Sequence, residues 1–449
     1  MVIKSKKLEI SSTFPWIIDK LKPTFDFTHK PLHIENKQIE LLYIKTVVDG
    51  DRLHNTVIKP FFEMTSLTNI EAYLTSLPNQ QEISSKDQLL VELTKGSVII
   101  GIKETILLFD FKKVHIDAPL PTNVEPTIQG PQYALSEDLI TNINMIRQRY
   151  HQPSLRIEMH SVGNKVHQSV AVLYDEDIVN KDALKQIKSK LREIDKDLIL
   201  AGADLIRCLN NKKRSLLPTT ILTERTDRIS YNISGGKVII MMDGDSNAIL
   251  APAVFFDFMT SMEDEYHPFW VSKFTSFLRY IGFFSCIALP GLYVGLTSYN
   301  PEIFRSELAL SLAGSRVGVP YPSYIEVLIM LIVMEFLTEA SIRLPKAISA
   351  TATTVGGLIL GTAVTEAALA SNILIIIVSA VAISTFVIPI NEMSFAIRVS
   401  RYGILFFTTI AGMTGLAIAL IGLVMWMANK SSYGEAYFKL FIQGKNKET

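Results

Sequence analysis

Over its first 250 residues the chain alternates short apolar, β-branched runs with charged helical stretches; after residue 276 it turns into a series of long apolar segments. Apolar runs bounded by Gly and Asp-Gly are strand and hairpin signals. They predict a strand over Leu41 to Val48, a helical stretch, the pair Lys95-Gly96, and strands over Ser97 to Ile102 and Thr105 to Phe111. A second set predicts a strand over Ser169 to Tyr174, an acidic turn and a helix over Asp182 to Ile194. Gly235-Gly236, a strand over Lys237 to Met242, the Asp243-Gly244 turn and a strand over Asn247 to Ala251 complete it. The parallel order predicts that residues 30–117 and 135–250 share one topology. Between them, APLPTNVEPTIQGP places four prolines in fourteen residues. Proline continues neither a helix nor a central strand, so a linker is expected over 118–134.

The apolar segments are Tyr280 to Pro301, Val327 to Met334, Ala347 to Thr365, Ser371 to Ile390 and Gly403 to Ala428. A spanning helix needs about 20 apolar residues. Four segments reach that; the second does so only if Glu326 and Glu335 at its ends are tolerated. The expected fold is therefore an α+β soluble N-terminal region of two small α/β subdomains, followed by an all-α polytopic membrane domain of four to five helices. Its expected parts are an N-terminal segment (1–29), subdomain 1 (30–117), the linker (118–134), and subdomain 2 with its connection to the membrane (135–270). The transmembrane domain (271–428) and a polar C-terminal tail (429–449) follow.

Charge sharpens this division. The 449 residues carry 44 basic and 44 acidic side chains, a net charge of zero, and a mean hydropathy of +0.26. Residues 1–270 hold 67 of the 88 charges, and no Asp follows Asp264. A simple soluble enzyme is excluded. A neutral chain has no nucleic-acid footprint, and two cysteines, Cys208 and Cys286, make no disulfide framework. Met1 to Glu9 is basic without an apolar core, so no cleaved signal is expected and the soluble half is expected on the cytoplasmic side. The distribution of Lys and Arg between loops supports this only in part.

No HExxH, GxSxG or kinase set is present, so neither catalysis nor a cofactor is expected. Asp243-Gly244-Asp245 lacks the ligand spacing of a calcium loop and reads as a turn. Gly235-Gly236-Lys237 leads into a strand, unlike a phosphate loop. His151, His160 and His167 are too widely spaced for a helical metal pair. Leu184, Ile187, Leu191 and Ile194 form a packing stripe on a charged helix.

The acids Glu326, Glu335, Glu339 and Glu366 lie in or beside apolar segments, where a charge costs about 2.5–3.5 kcal/mol. Arg316, Arg343 and Lys346 are candidate partners, with Glu335 and Glu339 expected near Arg343 or Arg316. The alternative is that these acids face a cavity as ion ligands. Thr351, Thr354, Leu358, Thr362 and Thr365 share one face of a helix, and Gly357 and Gly361 form a small-xxx-small pair beside it. The pattern suits a pore-lining helix in an oligomer. It suits equally a bundle helix whose threonines bond their own backbone.

Several motifs resemble those of one family: TERTDR (Thr223 to Arg228), GGKVIIMMDG, LAPAVFFDF (Leu250 to Phe258), Glu263-Asp264 and Ser276-Phe277-Leu278-Arg279. So do ALPGLYVGL, SRVGVPYP (Ser315 to Pro322), EFLTEASIRLP (Glu335 to Pro345), GGLILG (Gly356 to Gly361) and, upstream, NINMIRQRY (Asn142 to Tyr150). In this order they resemble the A subunit of the GerA-type nutrient germinant receptors of endospore-forming bacteria. Gln132, Thr226 and Thr338 depart from the residues usual there. The resemblance implies a subunit of the spore inner membrane that assembles with a transporter-like B subunit and a lipoprotein C subunit. It also implies a homo-oligomeric ring that conducts ions, surrounded by membrane lipid. The rival is a self-sufficient membrane transporter, which would usually show inverted repeats around a midplane site.

Overall fold

The computed structural model describes residues 10–34, 37–83, 85–113, 122, 125, 129–210 and 215–439. The chain divides into two compact units, residues 1–213, 222–252 and 441–449 in one, 214–221 and 253–440 in the other. The expected linker thus lies outside the described residues except at 122, 125 and 129–134.

Two five-stranded sheets build the first unit. One contains β1 (Phe27–Ile34), β2 (Lys37–Ile44), β3 (Gln80–Gln81), β4 (Ser97–Ile102) and β5 (Thr105–Asp110), in the order β1-β2-β4-β5-β3. The other contains β6 (Leu155–Val162), β7 (Gln168–Asp175), β8 (Ile221–Thr223), β9 (Val238–Met242) and β10 (Ala248–Ala251), in the order β6-β7-β9-β10-β8. The orders are the same, and the antiparallel pairs β1–β2, β2–β4 and β4–β5 have antiparallel counterparts in β6–β7, β7–β9 and β9–β10. Each sheet also has an outer strand, β1 or β6, that the apolar pattern does not predict. β2 runs over Lys37–Ile44, earlier than the expected Leu41 to Val48.

The longer helices of this unit are α1 (Ile10–Leu21), α2 (Leu67–Thr75), α3 (Lys86–Lys95), α4 (Leu139–Arg147), α5 (Lys181–Arg192), α6 (Gly202–Leu209) and α7 (Thr226–Ser234). α3 starts at Ser85, whose Oγ accepts the Gln88 N–H at 3.1 Å. It ends at Gly96, with φ +107° and no room for a Cβ, since Val47 O would lie 2.8 Å away. After α7, Gly236 does the same: φ +82°, with Ile178 O 2.5 Å from an added Cβ. A left-handed glycine therefore precedes the central hairpin of both sheets.

The first sheet is covered on both faces, which is why β4, SVIIGI, is apolar after Ser97 and buried throughout. Val98, Ile100, Leu107 and Phe109 pack with Phe61, Ile70 and Leu74 on one side. Ile99 and Leu108 pack on the other with Leu89 and Leu93 of α3 and with Phe14, Ile17 and Leu21 of α1. Residues 10–21 of the expected N-terminal segment thus contribute to this core. α1 is part of the core, and the tip of the Phe14 ring fills the space where Gly101 lacks a side chain, 2.7 Å from an ideal Cβ. On α5 the buried stripe is Ala183, Ile187 and Leu191, with Leu184 at its edge.

One buried ion pair ties the halves of this unit together. Arg147, at the end of α4, donates from Nη2 to Asp26 Oδ1 at 2.8 Å and from Nε to Oδ2 at 3.0 Å. Thr24 and Thr46 donate to the same carboxylate at 2.9 and 2.6 Å, and both charged side chains are fully buried. Burial alone would raise the Asp26 carboxyl; the Arg147 charge and these hydrogen bonds hold it below the usual carboxylate range.

The second unit is helical: α8 (Phe269–Ser298), α9 (Ser306–Ser315), α10 (Ser323–Arg343), α11 (Lys346–Glu366), α12 (Asn372–Phe386) and α13 (Asn391–Ala428). Two of these, α8 and α13, are long and apolar enough to cross a membrane; α12 is a shorter apolar helix. α8 starts well before the expected Tyr280, because FWVSKFTSFLR, though mixed in polarity, continues the helix. The expected polar tail is also folded as far as residue 439. Strands β11 (Ser431–Ser432) and β12 (Glu435–Ala436) pair, and the buried Tyr437 donates to Pro218 O at 2.9 Å.

α13 is not continuous. Ala411 (φ −125°, ψ 15°) and Gly412 (φ +60°, ψ −140°) leave helical geometry. The Gly412 conformation is open essentially only to glycine. The Tyr299 ring lies 2.7 Å from where a Cβ would be, and the Tyr299 hydroxyl donates to Thr409 O. Gly291 and Gly295 of α8 meet the same region closely: added Cβ atoms would lie 2.9 Å from Leu416 Cδ1 and 2.7 Å from Met413 Sδ.

Candidate functional site

The charged residues of the apolar helices are few, and α10 carries three of the acids, Glu326, Glu335 and Glu339. Glu326 lies in its first turn, fully buried. Its Oε1 accepts the Ser371 N–H at 2.7 Å, at the start of α12, and its Oε2 lies 3.3 Å from Arg316 Nε. Ser371 Oγ in turn meets Tyr293 of α8 at 3.1 Å. One buried acid thus joins α8, α10 and α12.

Glu335 bonds two arginines of α13, Arg398 and Arg401, and the Tyr402 hydroxyl lies 3.4 Å from it. Arg401 is fully buried, with Cys286 on its other side at 4.0 Å. The expectation that Glu335 sits near Arg343 or Arg316 is overturned. Eight residues separate Glu335 from Arg343, about 12 Å along a helix axis, beyond ion-pair reach. Arg343 instead meets Glu339 at 2.6 Å, one turn away, and Arg316 meets Glu326. The Glu339–Arg343 pair is exposed on both sides. Glu366 is exposed at the end of α11, and the side chain of Lys346 lies outside the described residues.

On α11, Thr351, Thr354, Leu358 and Thr362 are exposed, Leu358 by 69%, and Thr365 is half-buried. Thr362 donates to Leu358 O and Ile359 O, both at 3.1 Å; Thr365 donates to Thr362 O at 2.8 Å and Gly361 O at 3.2 Å. A Cβ on Gly357 or Gly361 would meet no atom within 4 Å. Among the described residues, then, no helix seats closely on that pair. The close helix approach is made by Gly291, Gly295 and Gly412 instead.

In the first unit the candidate chemistry resolves into structure. Asp243 Oδ1 accepts the Leu139 N–H at 3.2 Å; Asp245 accepts the Gly202 N–H and, at 2.8 Å, the Asn247 N–H. Both carboxylates therefore serve backbone donors around the turn. Among the described residues no cluster of His, Cys, Asp and Glu is placed to hold a metal. The TERTDR segment is buried: Arg225 pairs with Asp227 at 2.7 Å, and Arg228 reaches Glu125 at 3.0 Å. Glu224 accepts the Glu125 N–H at 3.2 Å, so the motif binds a residue of the proline-rich stretch.

Arg398, Arg401 and Tyr402 were not among the site residues expected from sequence. The available signal was a pair of arginines three apart, just before the apolar run from Gly403, with Glu335 uncompensated on another helix.

The family described as Bacillus/Clostridium GerA spore germination protein matches residues 16–449. Spore germination protein GerLA of Bacillus cereus is 35% identical over 317 residues, covering 71% of this chain and 64% of the relative. Spore germination protein KA of Bacillus subtilis is 28% identical over 97% of this chain and 80% of its own length. The crystal structure of the N-terminal domain of the A subunit of the Bacillus megaterium spore germinant receptor GerK3 aligns over 57% of this chain and 99% of that one, with 21% identity and a TM-score of 0.43. With the family's pattern running from α1 to the end of the chain, this protein belongs to the GerA spore germination protein family.

Proposed function

We propose that the chain is the A-type membrane subunit of a nutrient germinant receptor and triggers spore germination by forming or gating an oligomeric cation path once a partner subunit binds nutrient. The family match over residues 16–449 supports the receptor role. The observation that carries the conduction role is the outer face of α11. Thr351, Thr354, Thr362 and Leu358 are exposed on the single chain, as a face shared by several copies would be. Because Thr362 gives its hydrogen to its own helix, the oxygen lone pairs remain turned outward, where they can replace part of a cation's water shell. Leu358 between them can close a narrow path by dewetting.

In this reading the chain assembles with further copies of itself, a transporter-like B subunit and a lipoprotein C subunit in the spore inner membrane. Its sheet-containing unit faces the core, and α8, α10, α11, α12 and α13 supply four or five crossings. The test is potassium retention in spores carrying Leu358→Ala, with subunit abundance followed by immunoblot. Leakage without nutrient, at normal abundance, is the expected result. Normal retention and normal nutrient dependence would remove α11 from the path.

A further inference from the structure

We propose that the groove between α10, α11, α12 and the start of α13 binds an anionic phospholipid, with an acyl chain along its apolar walls and the phosphate against Arg398. The groove encloses about 630 Å3, within the range of about 300–1,000 Å3 usual for ligand sites. Its lining on α10 runs from Met330 to Ile342, about 18 Å of helix. Leu337, Leu360, Val378 and Phe386 supply apolar walls from three helices. Gly357 and Gly361 keep the α11 wall low, which accounts for two glycines on which no helix seats among the described residues.

The α13 wall differs in kind. Asn391, Ser394 and Arg398, at i, i+3 and i+7, line the groove from one helix face. Arg398 also belongs to the Glu335 cluster, where one carboxylate serves two guanidiniums. That leaves one positive charge in excess within an apolar unit, an expensive arrangement unless an anion completes it. Arg401 is sealed inside the bundle; Arg398 is the member of the pair that lines the groove. A guanidinium has five N–H donors in a planar fork and binds phosphate in two-point fashion, so Arg398 can hold Glu335 and a phosphate together. A long apolar trench with one cationic wall fits a phosphate that carries a hydrocarbon chain and does not fit a small polar anion. The assignment requires that the helical unit lie in a membrane, and it stands whether or not α11 conducts.

The experiment uses the full-length chain purified in mild detergent, offered dioleoyl phosphatidylglycerol and dioleoyl phosphatidylcholine in equal amounts and read by native mass spectrometry. The wild type is expected to retain the anionic lipid about fivefold more than the zwitterionic one. Arg398→Gln leaves Glu335 and Arg401 as a neutral pair and is expected to abolish the preference. Leu360→Trp fills the groove and should lower retention of both lipids, whereas Ile421→Trp, on an exposed part of α13, should change neither. Equal retention by the wild type, or a preference that survives Arg398→Gln, overturns the proposal. If Arg398→Gln does not accumulate, Leu360→Trp decides: unchanged lipid retention overturns it, and dissociation of the assembly with unchanged lipid assigns the groove to a protein segment instead.

Discussion

Asp26 in the sheet-containing unit and Glu335 in the helical unit are both acids held by arginine, and they are held differently. Asp26 meets a single arginine in two-point contact, and two threonine hydroxyls complete its shell. Charge is balanced one to one, and every hydrogen bond is local to the pair. Glu335 meets two arginines on another helix, in excess of its charge. The first arrangement closes on itself and serves as a rivet. The second leaves one positive charge in excess of the carboxylate it surrounds. A buried pair is weak evidence of net stability, but removing one partner is costly in either setting.

The largest expected effect is at the rivet. Arg147→Met strands a fully buried carboxylate and should destabilise the chain by about 3–5 kcal/mol, seen as a drop in the melting temperature of the detergent-solubilised protein. Adding Asp26→Asn should restore part of the loss, because the orphaned charge goes with it. The pH dependence follows from the depressed Asp26 carboxyl. Its contribution is complete above the range of an unfolded carboxyl, about pH 4, and is lost as pH falls through the lower folded value. Between about pH 5 and pH 3 the wild type should therefore lose more stability than the double variant.

Glu335→Gln should come next, at about 2.5–3.5 kcal/mol, since it leaves two arginines in apolar surroundings. Accumulation in membranes and melting of the solubilised chain both report it. A loss larger than that at Arg147 would reverse the comparison. Gly412→Ala should cost about 1–3 kcal/mol from its backbone conformation alone, with further loss from the Tyr299 ring. Melting beside Gly403→Ala, where a Cβ meets nothing, separates that cost from a general effect of Ala in α13. The smallest effect belongs to Glu339→Gln. Its pair with Arg343 is exposed and screened, so a change below about 0.5 kcal/mol is expected, with ion release unaltered. Altered release at normal abundance would move Glu339 from bracing to conduction.

The central hairpins β4–β5 and β9–β10 were legible because both are short apolar runs framed by glycine and a turn. The outer strands were not. β1, FTHKPLHI, carries two histidines, a lysine and Pro31, and β6 mixes Arg156, Glu158 and His160 with its apolar positions. An edge strand has one ladder side open and tolerates such residues. α1 escaped because its role depends on Gly101, far along the chain, leaving space for Phe14. In the helical unit the acids stood out against an apolar background, and the Glu339–Arg343 pair could be read from i, i+4 spacing. The partners of Glu335 could not be, since pairing between helices is set by packing and leaves no periodic trace. On α11, Thr351, Thr354 and Thr362 were legible as one face from their spacing of three to eight residues along a helix.

The break at Ala411–Gly412 bears on how the chain fits a bilayer. A straight 38-residue helix would measure about 57 Å, against a hydrocarbon core of about 30 Å. Such a rod would have to tilt steeply or thicken the lipid around it, at a cost that grows with each ångström of mismatch. With Gly412 released from helical geometry, the two segments can take separate tilts, each following its own packing. The angle between the segments is then set by the backbone of Ala411 and Gly412, with the aromatic ring of Tyr299 packed against the glycine.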